Sequence, residues 1–147
     1  FGVKMGKQLV VFKLLDEDYA IEVITVESII KYQSITIIPH APDYVVGVTN
    51  LRGNIVPVIE LKKRLSLPLT EPDEDTRIIV AIIKDSKVGM VVDSVSQVIE
   101  IGDGEMDPTP HMGASTPVDA SFIRGIIKIN GRLIISLDLE KIFFENK

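Results

Sequence analysis

The chain lacks cysteine altogether, carries two histidines, and is only 5% aromatic over 147 residues. Without cysteine, disulfide staples, thiolate nucleophiles and zinc–thiolate sites are excluded together, and the composition suits a cytoplasmic location. The longest uninterrupted apolar run, Ile78 to Ile83, is six residues, far short of the roughly 18 to 20 that cross a bilayer as a helix, so neither a membrane span nor a signal peptide is expected. Positive charge is scarce too. Lys plus Arg number 16 against 21 Asp plus Glu, a net charge of −5, and the densest basic run is Lys62-Lys63-Arg64. That balance argues against a nucleic-acid partner, and the few aromatics argue against the stacking surface of an oligonucleotide-binding barrel.

Catalytic sets are missing as well. His40 and His111 stand alone, and there is no His-Glu-x-x-His, no Walker-type loop and no Gly-x-Ser-x-Gly elbow, so no catalytic residue, metal ligand or cofactor site is expected. Asp73-Glu74-Asp75 lacks the alternating oxygen spacing of a calcium loop and reads as a solvated linker. Gly102-Asp103-Gly104-Glu105 reads as a turn. The first four residues, ahead of Met5-Gly6-Lys7, are left out of the fold.

What is plentiful is apolar content, 46% of the chain, enough for one domain or two small joined subdomains. It is also repeated. Residues 44 to 65 lie over 122 to 143 without a gap at an offset of 78, setting Gly47 on Gly125, Leu51 on Ile129, Gly53 on Gly131 and Leu61 on Leu139. Residues 10 to 30 lie over 79 to 99 at an offset of 69, setting Asp16 on Asp85, Ala20 on Gly89 and Val26 on Val95. The offsets differ by nine residues, which belong in the Gly- and Pro-rich stretch from Gly102 to Pro117, expected to be a loop.

Leu9 to Leu14 and Ile78 to Ile83 are short β-branched apolar runs that suit strands buried on both faces. Tyr19, Ile21 and Val23 alternate with Ala20 and Glu22, the pattern of a strand with one buried face, after a turn at Asp16-Glu17-Asp18. Asn130-Gly131 marks a two-residue hairpin. Val26, Ile29 and Ile30 follow helical spacing with Thr25 as cap, and Asp93 or Ser94 would cap the equivalent helix of the second copy. Leu61 and Leu65, then Leu139, Ile142 and Phe143, mark a helix closing each repeat, the first stopped by Pro68. Pro57 inside a strand points to a sheet edge or a bulge. The fold class expected is mainly β: two five-stranded barrels from an internal duplication, with short helices, divided near residue 70 into 9–70 and 71–147, strand exchange between them being open.

The run Gly47-Val48-Thr49-Asn50-Leu51-Arg52-Gly53-Asn54-Ile55-Val56-Pro57-Val58 resembles the signature of the CheW family of chemotaxis coupling proteins. The likeness extends through Leu9-Val10-Val11-Phe12, Tyr19-Ala20-Ile21, Val88-Gly89-Met90-Val91-Val92-Asp93 and Arg132-Leu133-Ile134-Ile135, so it covers nearly the whole chain, 9–147, as one CheW-like domain. It implies two SH3-like barrels and an adaptor that links the cytoplasmic tip of a chemoreceptor to the regulatory domain of the histidine kinase CheA. Receptor-binding positions implied by the match are Val26, Ile29, Gly47, Asn50, Arg52, Gly53 and Gly89; Asn130 and Gly131 are the candidates for the kinase contact. Many members carry Val-x-Glu-Ile where this chain has Val26-Glu27-Ser28-Ile29, so an acidic contact there is missing or moved to Glu27. For the glycines a purely structural role competes, because Gly125 and Gly131 repeat them. Arg52 has Asn130 as its counterpart, so the hairpin itself does not demand a guanidinium. Two alternatives stay open beside it: a regulatory module of a larger protein, CheA itself or a receiver-fused coupling protein, and, less favoured, a nucleic-acid-binding barrel.

Overall fold

In the computed structural model, residues 6–102, 104–107 and 118–144 are described. The first copy begins with a hairpin of β1 (Lys7–Leu14) and β2 (Glu17–Glu22), followed by a 3₁₀ turn at Val23–Thr25 and β3 (Val26–Lys31). A second hairpin, β4 (Val45–Leu51) and β5 (Asn54–Glu60), runs into the short helix α1 (Leu61–Arg64). The second copy repeats the order with β6 (Arg77–Ile83), β7 (Ser86–Val92), β8 (Ser94–Ile101), the two-residue β9 (Met106–Asp107), β10 (Ile123–Ile129), β11 (Arg132–Leu137) and α2 (Leu139–Phe144).

The duplication is carried in detail by the backbone. Both β4 and β10 shift register at the repeated glycine, between Val45 and Gly47 and between Ile123 and Gly125. Both turns are left-handed, with φ of 52° and 85° at Arg52 and Gly53 and 51° and 79° at Asn130 and Gly131. The hydrogen bond from the Glu60 amide to the Tyr44 carbonyl, 2.8 Å, recurs from Asp138 to Phe122 at 2.8 Å. Parallel ladders recur as well, Val58 facing Gly89 and Ser136 facing Ala20.

The two compact units are not consecutive halves. One is built from residues 25–94 and the other from 1–24 with 95–147. In the first, the sheet runs β3-β6-β7-β5-β4; in the second it runs β8-β1-β2-β11-β10-β9. Each opening hairpin therefore pairs with strands of the other copy. Exchange replaces the division at residue 70, because β2 finds its parallel partner in β11, and β7 finds its own in β5. Val56, Val58, Ile78, Val80 and Val91 fill one core. Leu9, Val11, Ala20, Ile101, Ile127 and Ile134 fill the other.

Several local expectations are corrected. Val26, Ile29 and Ile30 lie on strand β3, not a helix, and Ser94 begins strand β8. Pairing with β6 satisfies the backbone of β3 and suits its β-branched residues better than an isolated helical turn would. The strand splits the supposed stripe: Val26, Ser28 and Ile30 are half-buried, while Ile29 points out. Ala20 is as buried as Tyr19 and Ile21, because its face of β2 packs into the core with Leu9, Val11 and Ile127. The first turn sits at Leu15 and Asp16, with Glu17 and Asp18 already in β2. Pro57 is not on an edge strand, because β5 lies between β7 and β4; the ladder to β7 begins only at Val58, so the missing N–H is tolerated there. Within 102–117, β9 interrupts the expected loop at Met106–Asp107, while Asp103 and 108–117, with His111, lie outside the described residues.

Candidate functional site

All seven positions first singled out for one partner, from Val26 to Gly89, fall in the unit built from 25–94, and Asn130 and Gly131 fall in the other. Four of the seven, Gly47, Asn50, Arg52 and Gly53, share the β4–β5 hairpin. Its bulge exists because the chain passes very close: a Cβ on Gly47 would lie 2.0 Å from the Thr36 carbonyl oxygen. Thr36 exchanges two backbone bonds with Val48, 2.8 and 2.9 Å, so the segment after β3 crosses to β4 and closes the sheet. Gly125 plays the same part beneath β9, where a Cβ would meet Met106 and the Asp107 carbonyl at 2.5 and 2.7 Å. Backbone proximity accounts for both glycines.

Beyond the bulge the hairpin is pinned by side chains. The buried Thr49 hydroxyl donates to the Ser34 carbonyl at 3.0 Å and accepts from Gln33 Nε2 at 2.9 Å. Asn50 Oδ1 accepts the Gly53 amide at 2.9 Å across the turn. Arg52 sits at the corner, exposed, and among the described residues its guanidinium has no hydrogen bond or ion pair. Beside it Ile55, paired across the hairpin with Asn50, is 69% exposed. The turn thus displays a cation and an apolar side chain together. Ile55 was missed in the sequence, although the alternation of Ile55 and Pro57 outward with Val56 and Val58 inward carries the signal.

The remaining candidates behave differently. Gly89 is buried in β7, with Ile78 Cγ2 3.0 Å and Val58 Cγ2 3.5 Å from where its Cβ would be, so it serves the packing of β6 against β5. Ile29 is 40% exposed on β3. Glu27 is engaged by Lys87 at 3.2 Å. In the other unit, Asn130 and Gly131 form an exposed turn followed by Leu133, whose exposure of 59% parallels Ile55. There Arg132 pairs with the buried Asp18, so the nearest guanidinium is committed inward.

A second charged group, absent from the reading of the sequence, lies under α1. Lys62 is buried, paired with Asp93 and bonded to Thr70. Asp93 therefore answers an ammonium rather than capping a helix. Burial pushes the nearby Glu60 carboxyl above the usual range, only partly countered by Lys62. This cluster holds α1 and the end of β7 together. Among the described residues no three His, Cys, Asp or Glu side chains gather to hold a metal ion, and no helix is long and apolar enough to cross a membrane.

Residues 8–146 match the model of the CheW-like domain. Over 136 residues the chain is 40% identical to the chemotaxis protein CheW of Bacillus subtilis, covering 92% of this chain and 86% of the relative. It is 36% identical to that of Rhizobium meliloti, covering 94% and 88%. Among solved structures, the scaffolding protein TtCheW of Thermoanaerobacter tengcongensis superposes with a TM-score of 0.87 at 38% identity, covering 98% of this chain and 92% of that one. With the duplicated strand order and the Asn50-Leu51-Arg52-Gly53 turn in place, these matches establish that the chain belongs to the CheW family.

Proposed function

We infer that this chain is a chemotaxis adaptor that couples chemoreceptors to the histidine kinase CheA, binding each and transforming neither. The unit built from 25–94 takes the receptor's cytoplasmic tip through the β4–β5 hairpin, with Arg52 and Ile55 as the contacting side chains and Ile29 as a flanking one. The unit carrying Asn130 and Gly131 takes the kinase regulatory domain, with Leu133 as its exposed apolar neighbour. One observation supports the receptor side above others: Arg52 holds an exposed left-handed turn position without a partner among the described residues, where the other copy is served by Asn130. Because Asn130 fills the same corner in the other copy, the hairpin itself does not account for a guanidinium at this position. Neither a nucleic-acid groove nor a fused regulatory role is needed to explain it.

Arg52→Glu tests this reading. Affinity for a purified receptor tip fragment should fall by about 1 to 4 kcal/mol, the range for a charge-assisted contact within an interface. Affinity for the CheA regulatory domain and the melting temperature should hold, since an exposed substitution shifts stability by less than about 0.5 kcal/mol. Unchanged receptor affinity removes Arg52 from the site; loss of all three properties makes its role structural.

A further inference from the structure

We propose that Asn50 is a positioning residue: it acts on the receptor through Arg52, by holding the left-handed turn from which the guanidinium is displayed. The inference rests on the receptor reading above and assigns Asn50 a role within it. The Gly53 amide is a donor, so only the carbonyl oxygen of the Asn50 side chain can meet it, at 2.9 Å. That bond passes over Leu51 and Arg52 to end on the second turn residue, bracing the corner at which Arg52 holds a φ of 52°, a conformation disfavoured for a residue with a long side chain. The other copy supplies the control. Its turn residue is Asn130, a type that accepts φ of 51° readily, and Lys128 occupies the position equivalent to Asn50. An ammonium offers no acceptor, so the side-chain bond across the turn exists only where the corner residue is Arg. The Asn50 backbone carbonyl faces Gln33 Nε2 at 3.5 Å, so the residue is held at its base while its side chain reaches forward.

The experiment is a double-mutant cycle on the intact chain, read as affinity for the receptor tip fragment, with hydrogen exchange at the Gly53 amide measured on the free protein. Asn50→Ala should weaken binding about fivefold, the size of one side-chain-to-backbone bond, and speed exchange at Gly53. In an Arg52→Ala background the same change should weaken binding no further. Asn50→Asp keeps the acceptor and should restore slow exchange and most of the affinity. An equal loss from Asn50→Ala in both backgrounds overturns the inference, because Asn50 would then touch the receptor itself. Arg52→Ala weakening binding while Asn50→Ala does not overturns it alone and leaves the receptor site standing. Arg52→Ala without effect removes the hairpin from the receptor site, and the inference falls with it.

Discussion

The β4–β5 hairpin and the β10–β11 hairpin share a glycine bulge, a two-residue left-handed turn and a strand that runs into a short helix, yet they part at most polar and charged positions of the turn and in what surrounds the charges they keep. Arg52 stands against Asn130, Asn50 against Lys128, Lys62 against Glu140 and Glu60 against Asp138. Both carboxylates are half-buried, but Asp138 meets the exposed Arg124 at 3.6 Å, whereas Glu60 lies by the buried Lys62. What the copies keep in common is therefore what the ladder requires, namely backbone approach, turn geometry and apolar spacing. What differs is free to serve each unit separately. The difference teaches where to look for binding: at positions the fold fills in one way in one copy and another way in the other.

The comparison breaks most sharply at the bulges. Gly47→Ala should destabilise its unit by about 3 kcal/mol or more, because the obstacle is the Thr36 carbonyl, locked by two backbone bonds. Gly125→Ala should cost visibly less, since two of its three nearest atoms belong to the flexible Met106 side chain. Urea denaturation of the two variants side by side checks the order, and equal costs would show that the two closures are mechanically alike.

A smaller effect separates the helix starts. The Glu60 carboxyl is raised by burial, so across the interval between its ordinary and raised values the folded chain binds more protons than the unfolded one, and stability falls as pH climbs through it. Glu60→Gln cannot ionise. Its stability relative to the parent should therefore be greater at pH 7 than at pH 4, where the parent's carboxyl is protonated in both states. Melting curves across that range provide the check; a gain that persists at low pH would assign it to packing instead.

The smallest effect lies at the turn. Arg52→Asn should stabilise the free protein by about 0.5 kcal/mol, because Asn takes positive φ more readily, while weakening receptor binding. Asn130→Arg should reverse the stability change in the other hairpin. If both substitutions lower stability, the turn geometry is set by more than the corner residue.

These effects follow from features of uneven legibility. The repeats, the hairpin at Asn130-Gly131 and the strands at Leu9 to Leu14 and Ile78 to Ile83 are written locally, in spacing and turn chemistry, although Ile82, 45% exposed, departs from the burial expected on both faces. Val26, Ile29 and Ile30 fall at i, i+3 and i+4 and so read as helical, because so short a segment cannot separate the two periods, yet they lie on a strand. The corner position of Arg52 was visible from its neighbour Gly53 and its counterpart Asn130. Its lack of a partner and the bond from Asn50 were not visible, since both depend on where side chains end up.

The sequence by itself determined the duplication, the register of the repeats, the mainly β class and the family, since all of these are patterns of residue type along the chain. Only the tertiary structure decided which hairpin joins which sheet. β1–β2 and β6–β7 are both rich in apolar residues, and their placement lies in the parallel ladders to β11 and β5, whose partners stand far apart in sequence. The ladder between β5 and β7 also set Gly89 against Val58 and brought Lys62, just past the end of β5, to Asp93, just past the end of β7. Local propensity can name a strand, but its neighbour is settled by the apolar surface and backbone groups that remain to be covered once the whole chain has met itself.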